Sequence, residues 1–155
     1  MVVDENGFNQ IDELIEKEKD KLRSAVRAKA IAFQDDTNTW HDNAAYDDAL
    51  EKENGAIMEI NRLIDIKNKI EIIHKHNDPT LIDIGDVITV EMNGDDVFDV
   101  ILTGKYLANS KIGEITLNSP MGNAIYKKKI GDEVIIFTHN NPKQKIKILS
   151  FKNGD

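Results

Sequence analysis

The spacing of apolar residues changes once along the chain, and that change constrains the fold more than any other feature. Phe8, Ile11, Ile15, Leu22, Val26, Ala30 and Phe33 recur at intervals of three or four residues or their multiples, with charged residues on the other faces. This is the period of an amphipathic helix. A second seam of the same spacing begins near Asp42 and runs through Ala49, Ala56, Ile60, Leu63, Ile66, Ile70 and Ile73. Two helices of about thirty residues with a short polar break between them fold back as an antiparallel coiled-coil hairpin, roughly 40 to 45 Å long. The far end of so thin a rod stabilises little, which leaves its sequence open to another use.

The break holds the chain's single Trp, Trp40, and no Lys or Arg lies between Lys29 and Lys52. Six acids fill that gap: Asp35, Asp36, Asp42, Asp47, Asp48 and Glu51. Thr37, Asn38 and Thr39 suit a turn, and Asp42 suits the cap of the second helix, its charge near the positive end of the helix dipole. Capping explains one acid of the six. A solvated face is the ordinary fate of such a charge run; the alternative is that the acids act on something met at the tip. Lys17, Lys19, Lys21, Arg23, Arg27 and Lys29 precede them, diluted by Glu18 and Asp20. His41 reads as a solvated loop residue before a metal ligand or proton relay, and Trp40 as a plug over the coil end before a platform for an RNA base.

After His76-Asn77-Asp78-Pro79 the pattern becomes that of strands. Residues 86–92, 97–103, 112–117, 132–137 and 145–151 are rich in β-branched side chains, several alternating. Asn93-Gly94 between the first two marks a tight hairpin turn. The stretch 119–129 is the one helix candidate there, with Ser119 as N-cap and Pro120 at the first helical position. The expected fold class is therefore α+β. A hairpin over 1–77, with its tip at about 36–43, precedes a small antiparallel sheet with one short helix over 78–155.

Composition removes whole classes of function. No apolar run reaches the length of a membrane span, and the charged N-terminus lacks a signal-peptide core, which places the protein in the cytoplasm with no membrane partner. With no Cys there is no disulfide framework, thiol catalysis or Cys-ligated zinc. A net charge of −8 argues against wrapping nucleic acid unaided.

Two blocks carry a family resemblance. Asp42-Asn43-Ala44-Ala45-Tyr46, with Ala49 and Glu51 behind it, looks like the acidic-Asn-Ala-x-Tyr signature of the bacterial Gre transcript-cleavage factors. Residues 115–137, with Ser119-Pro120-Met121-Gly122-Asn123-Ala124 followed by Gly131-Asp132, are similar to that family's C-terminal block. The resemblance spans nearly the whole chain. It implies a coiled-coil hairpin and an FKBP-like domain that docks, through the 119–124 block, on the rim of the RNA polymerase secondary channel. The hairpin then reaches into the channel as a monomer. There Asp42 helps the polymerase active site hold a shared Mg²⁺, and the nascent RNA 3′ end is cut. Lys21, Arg23, Arg27 and Lys29 would face the extruded RNA. No cofactor is implied for the chain alone, and it would not be an enzyme itself.

At the tip the sequence departs from the family. The family places two acids, two residues apart, directly before the Asn-Ala-x-Tyr run, whereas here the first position is Thr39 and the intervening pair is Trp40-His41. A Thr hydroxyl does not match a carboxylate as a Mg²⁺ ligand. Asp35 and Asp36 substitute only if the tip backbone brings them there. Two readings stay open within the family, a stimulator of cleavage and a channel-occupying regulator that cuts poorly. From another class comes a hairpin chaperone or prolyl isomerase, for which Phe98, Tyr106, Tyr126, Phe137 and Phe151 are the only aromatic material in the second half.

Overall fold

The computed structural model describes residues 1–35, 43–76, 78–138 and 143–154, and of Asp35 the backbone alone. Two compact units emerge, Ile11–Lys69 and Met1–Gln10 together with Ile70–Asp155. The N-terminal residues Met1–Gln10 belong with the sheet unit. Strand β1 (Val2–Val3) pairs in parallel with β2 (Glu71–Ile72), and Val3 is fully buried. Asn118 clasps Val2 from both sides, accepting from its N–H at 3.0 Å and donating to its carbonyl at 2.6 Å. Gly7, in the first turns of the helix that follows, stands where an added Cβ would come within 2.5 Å of the Gly104 carbonyl.

The hairpin unit is built on α1 (Glu5–Asp35) and α2 (Ala44–Lys67). Flanked by other half-buried positions such as 14, 19, 50 and 66, residues 11, 15, 18, 22, 25, 29 and 32 of α1, and 46, 49, 53, 56, 60, 63 and 67 of α2, are all buried or half-buried. Their intervals alternate strictly between four and three, the heptad of a coiled coil. The seam expected from apolarity leaves this register after Leu22. Val26 and Phe33 are 43% and 73% exposed, and Ala25 and Ala32 are buried instead. The reason is physical. Ala25, Ala32, Ala49 and Ala56 are the small side chains buried along the seam, and Lys29 lies in the seam because its ammonium reaches Glu53 on the opposite helix. Lys67 pairs with Asp12 in the same way nearer the base, which fixes the helices as antiparallel.

In the other unit the strand order is β5-β4-β3-β7-β6, with β3 (Val87–Met92), β4 (Asp96–Thr103), β5 (Glu114–Thr116), β6 (Glu133–Ile136) and β7 (Gln144–Lys152). Asn93 and Gly94 both take positive φ, 55° and 88°, as the central residues of a turn in which the Asp95 N–H donates to the Met92 carbonyl, and Asp95 completes a three-residue loop before Met92 pairs with Asp96. The sheet is mixed, not wholly antiparallel, because β5 runs parallel to β4. Residues 104–113, with a 3₁₀ turn at Ser110–Ile112, are long enough to carry the chain back before it re-enters the sheet. Ile82, Ile88, Val90, Leu102, Ile125 and Ile146 are at the centre of the core.

One turn is built twice. In Asp83-Ile84-Gly85-Asp86 and again in Lys129-Ile130-Gly131-Asp132, the last N–H donates to the first carbonyl, and the last carboxylate accepts the first N–H at 2.9 Å. Each glycine has φ near +90°, at 91° and 89°. Gly85 and Asp86 bond to Leu102, and Gly131 and Asp132 to Ile148. The two turns thus launch β3 and β6 in the same manner.

The short helix α3 (Pro120–Ile125) is capped by Ser119 and ends sooner than expected. Tyr126 turns extended and Lys127 takes φ 57°, which lets the backbone of Lys127 and Lys128 bond to Ile82.

Candidate functional site

Thr39, Trp40, His41, Asp42 and Asp36, with the side chain of Asp35, lie outside the described residues. What is described is the base on which that segment stands. The cap of α2 is Asn43, not Asp42. Its Oδ1 accepts the Tyr46 N–H at 3.0 Å, and its Nδ2 donates to the Ala32 carbonyl at 2.9 Å. Tyr46 leans on Phe33 with ring centroids 6.4 Å apart, tilted by 50°. Phe33 is thus exposed to solvent and braced by its neighbour. With capping assigned to Asn43, that explanation no longer accounts for the acid preceding it in sequence.

The remaining acids of the gap are on the surface. Asp47 is exposed in the first turn of α2, where the helix dipole favours a negative charge. Asp48 pairs with Lys52 at 2.5 Å, and Glu51 is exposed. Among the described residues no group of three or more His, Asp or Glu side chains comes together as a metal site.

The basic section is less open than its sequence implies. Lys21 pairs with Glu18 at 2.5 Å and Arg23 with Asp20, whose hydrogen bond and charge raise the guanidinium above its ordinary value. Arg62 holds the Glu59 carboxyl below its ordinary value, with Lys21 adding a weaker pull. Lys29 is drawn into the seam by Glu53, their side chains 26% and 17% exposed. Arg27 is exposed.

The block expected to dock divides into scaffold and surface. Ser119 Oγ accepts the Gly122 N–H at 3.0 Å and donates to the Thr116 carbonyl at 2.7 Å. Gly122 is buried, and a Cβ there would be driven into that same carbonyl. Met121 and Ala124 pack on the core, leaving Pro120 and Asn123 exposed. Phe98, Tyr126 and Phe151 are likewise packed against the core, and Phe137 is 69% exposed.

Two buried carboxylates lie elsewhere in the sheet unit. Asp86 Oδ2 accepts the Asp83 N–H, and Lys75 Nζ stands 3.7 Å from Oδ1. Asp83 itself accepts the backbone N–H groups of Ile84 and His76. Their partners are those of a turn and a loop closure.

Sequence reasoning did not find the Asn43 bridge or the seam pair. Asn among cap-forming residues was the available signal for the first, and a Lys and a Glu at heptad spacing for the second.

Comparison with known proteins bears on the whole chain. Residues 77–153 are matched by the family model described as "Transcription elongation factor, GreA/GreB, C-term". The chain is 26% identical over 152 residues to the transcription elongation factor GreA of Staphylococcus epidermidis, covering 96% of this chain and 94% of that protein. GreA of Staphylococcus aureus matches to the same extent. Among solved structures, the GreA factor homologue Gfh1 of Thermus thermophilus aligns over 99% of both chains at 18% identity, with a TM-score of 0.44.

Proposed function

The chain belongs to the GreA/GreB family of transcription elongation factors, and on that footing we propose that it works through RNA polymerase, entering the secondary channel with its hairpin. The sheet unit docks at the channel rim, with Pro120 and Asn123 as the exposed members of the docking block. The observation that carries this reading is the hairpin's far end. Two helices paired along a heptad seam lead to a stretch that holds six acids and no Lys or Arg, and the helix cap beside it is supplied by Asn43.

Asp42 is the acid assigned to the reaction, and Asp35 and Asp36 are its substitutes. A carboxylate is a fitting donor for Mg²⁺, a hard cation that accepts one or two carboxylates and keeps several waters. When bound in the polymerase active site, such a metal stabilises the attacking and leaving oxygens of a displaced phosphate. The chain's part is to carry the carboxylate there and hold it. It is a factor acting on the polymerase's own nuclease activity and is not an enzyme alone. Lys21, Arg23 and Arg27 lie along the path of extruded RNA.

Thr39 favours a second reading, in which the same channel is occupied and cleavage is weak. A defined backtracked elongation complex with Mg²⁺ separates the two. Shortened RNA on a gel after addition of the protein supports the first, and intact RNA with slowed nucleotide addition supports the second. No effect on either sinks both.

A further inference from the structure

α1 ends at Asp35 and α2 begins at Ala44, and each helix end has backbone groups without an intrahelical partner. Ala32 is in the last turn of α1, and its carbonyl is one of those groups. The Tyr46 N–H in the first turn of α2 is another. A single side chain serves both, since Asn43 donates to Ala32 at 2.9 Å and accepts from Tyr46 at 3.0 Å. Asn carries a donor and an acceptor on one short rigid plane. Asp caps as well but has no N–H for a carbonyl, and Ser is too short to reach across.

We propose that Asn43 is a positioning residue for the hairpin: its amide bolts the end of α1 to the start of α2, the two helix ends between which Asp42 lies in sequence. The inference rests on the polymerase reading above. Asp42 immediately precedes Asn43 in the sequence. The Phe33–Tyr46 ring contact braces the next turn. A cap alone would be satisfied by Asp or Ser; the bond to the first helix is what asks for an amide. A displacement of about 1 Å at a reacting group costs on the order of a hundredfold in rate, so a loosened tip acts on turnover, while docking depends on the other unit.

The test uses Asn43→Asp and, as a second variant, Asn43→Ser in the full chain. The chain has no Cys, so nitroxides placed at Gln34→Cys and Asp48→Cys report the distance across the tip by pulsed electron resonance without polymerase. One narrow distance is expected in the parent, broadened or shifted in both variants. With a backtracked elongation complex, the half-saturating concentration should stay within about threefold while the maximal effect on the RNA falls about tenfold or more. Unchanged distances, or a variant that reaches the parental maximum, overturn the inference. A loss confined to half-saturation also overturns it. A parent without effect on the complex sinks the polymerase reading instead, and the distance measurement tells the two failures apart.

Discussion

Replacing the Lys29–Glu53 pair by two leucines should stabilise the hairpin. Both residues occupy heptad positions where an apolar knob packs best, and their side chains are 26% and 17% exposed. In such a half-buried site the charge attraction roughly cancels the cost of desolvating both ions. Two leucines bring eight side-chain carbons where Lys and Glu bring six methylenes. At about 0.8 kcal/mol per buried carbon, that gains about 1.5 kcal/mol. Recovered desolvation adds to it, and imperfect fit beside the alanines subtracts from it, giving a net of about 1–2 kcal/mol and a rise in Tm of about 3–6 °C. Lys29→Leu alone should instead destabilise by about 1–3 kcal/mol, because Glu53 is left in the seam without its cation. Urea and thermal unfolding followed by helical circular dichroism, on parent, both single variants and the double, measure this as a cycle. A double variant less stable than the parent, or a harmless Lys29→Leu, would refute the heptad register and the pairing drawn from it.

Gly55 stands inside α2 with open space where a Cβ would lie, so Gly55→Ala should raise stability by about 0.5–1 kcal/mol in the same melts. Gly122→Ala should cost about 2–4 kcal/mol, since the new methyl meets the Thr116 carbonyl, whereas exposed Asn123→Ala should stay within about 0.5 kcal/mol. Glu114 is held below its ordinary value first by the Lys105 ammonium and then by the Asn109 N–H. Its contribution is therefore full above the unfolded carboxylate pKa and lost as pH falls through the lowered folded value. Glu114→Gln should destabilise by about 1–2 kcal/mol at pH 7, and unfolding measured down to about pH 3 should show the gap closing.

Much of this architecture was legible because it is local. Two helical periods, five strands, the Asn93-Gly94 turn and the Ser119-Pro120 helix start each announce themselves within a few residues. The seam beyond Leu22 was not legible, because Val26 and Phe33 are more apolar than Ala25 and Ala32, and apolarity alone does not weigh a cross-helix ion pair. Strands β1 and β2 have two residues each and meet across some seventy positions of sequence, so no window contains the signal. The parallel placement of β5 depends on how residues 104–113 return. At the tip, charge and position suggest Asp42 as the helix cap, whereas the amide of Asn43 serves both helix ends.

Delivery of a carboxylate by the hairpin to a partner's active site is the step on which the proposed function turns. Its most direct measurement is the rate of RNA shortening in a backtracked elongation complex at saturating protein, parent against Asp42→Asn, with half-saturation recorded for both. Equal half-saturation and a loss on the order of a hundredfold in the variant's rate are expected. Parental shortening by Asp42→Asn would contradict it.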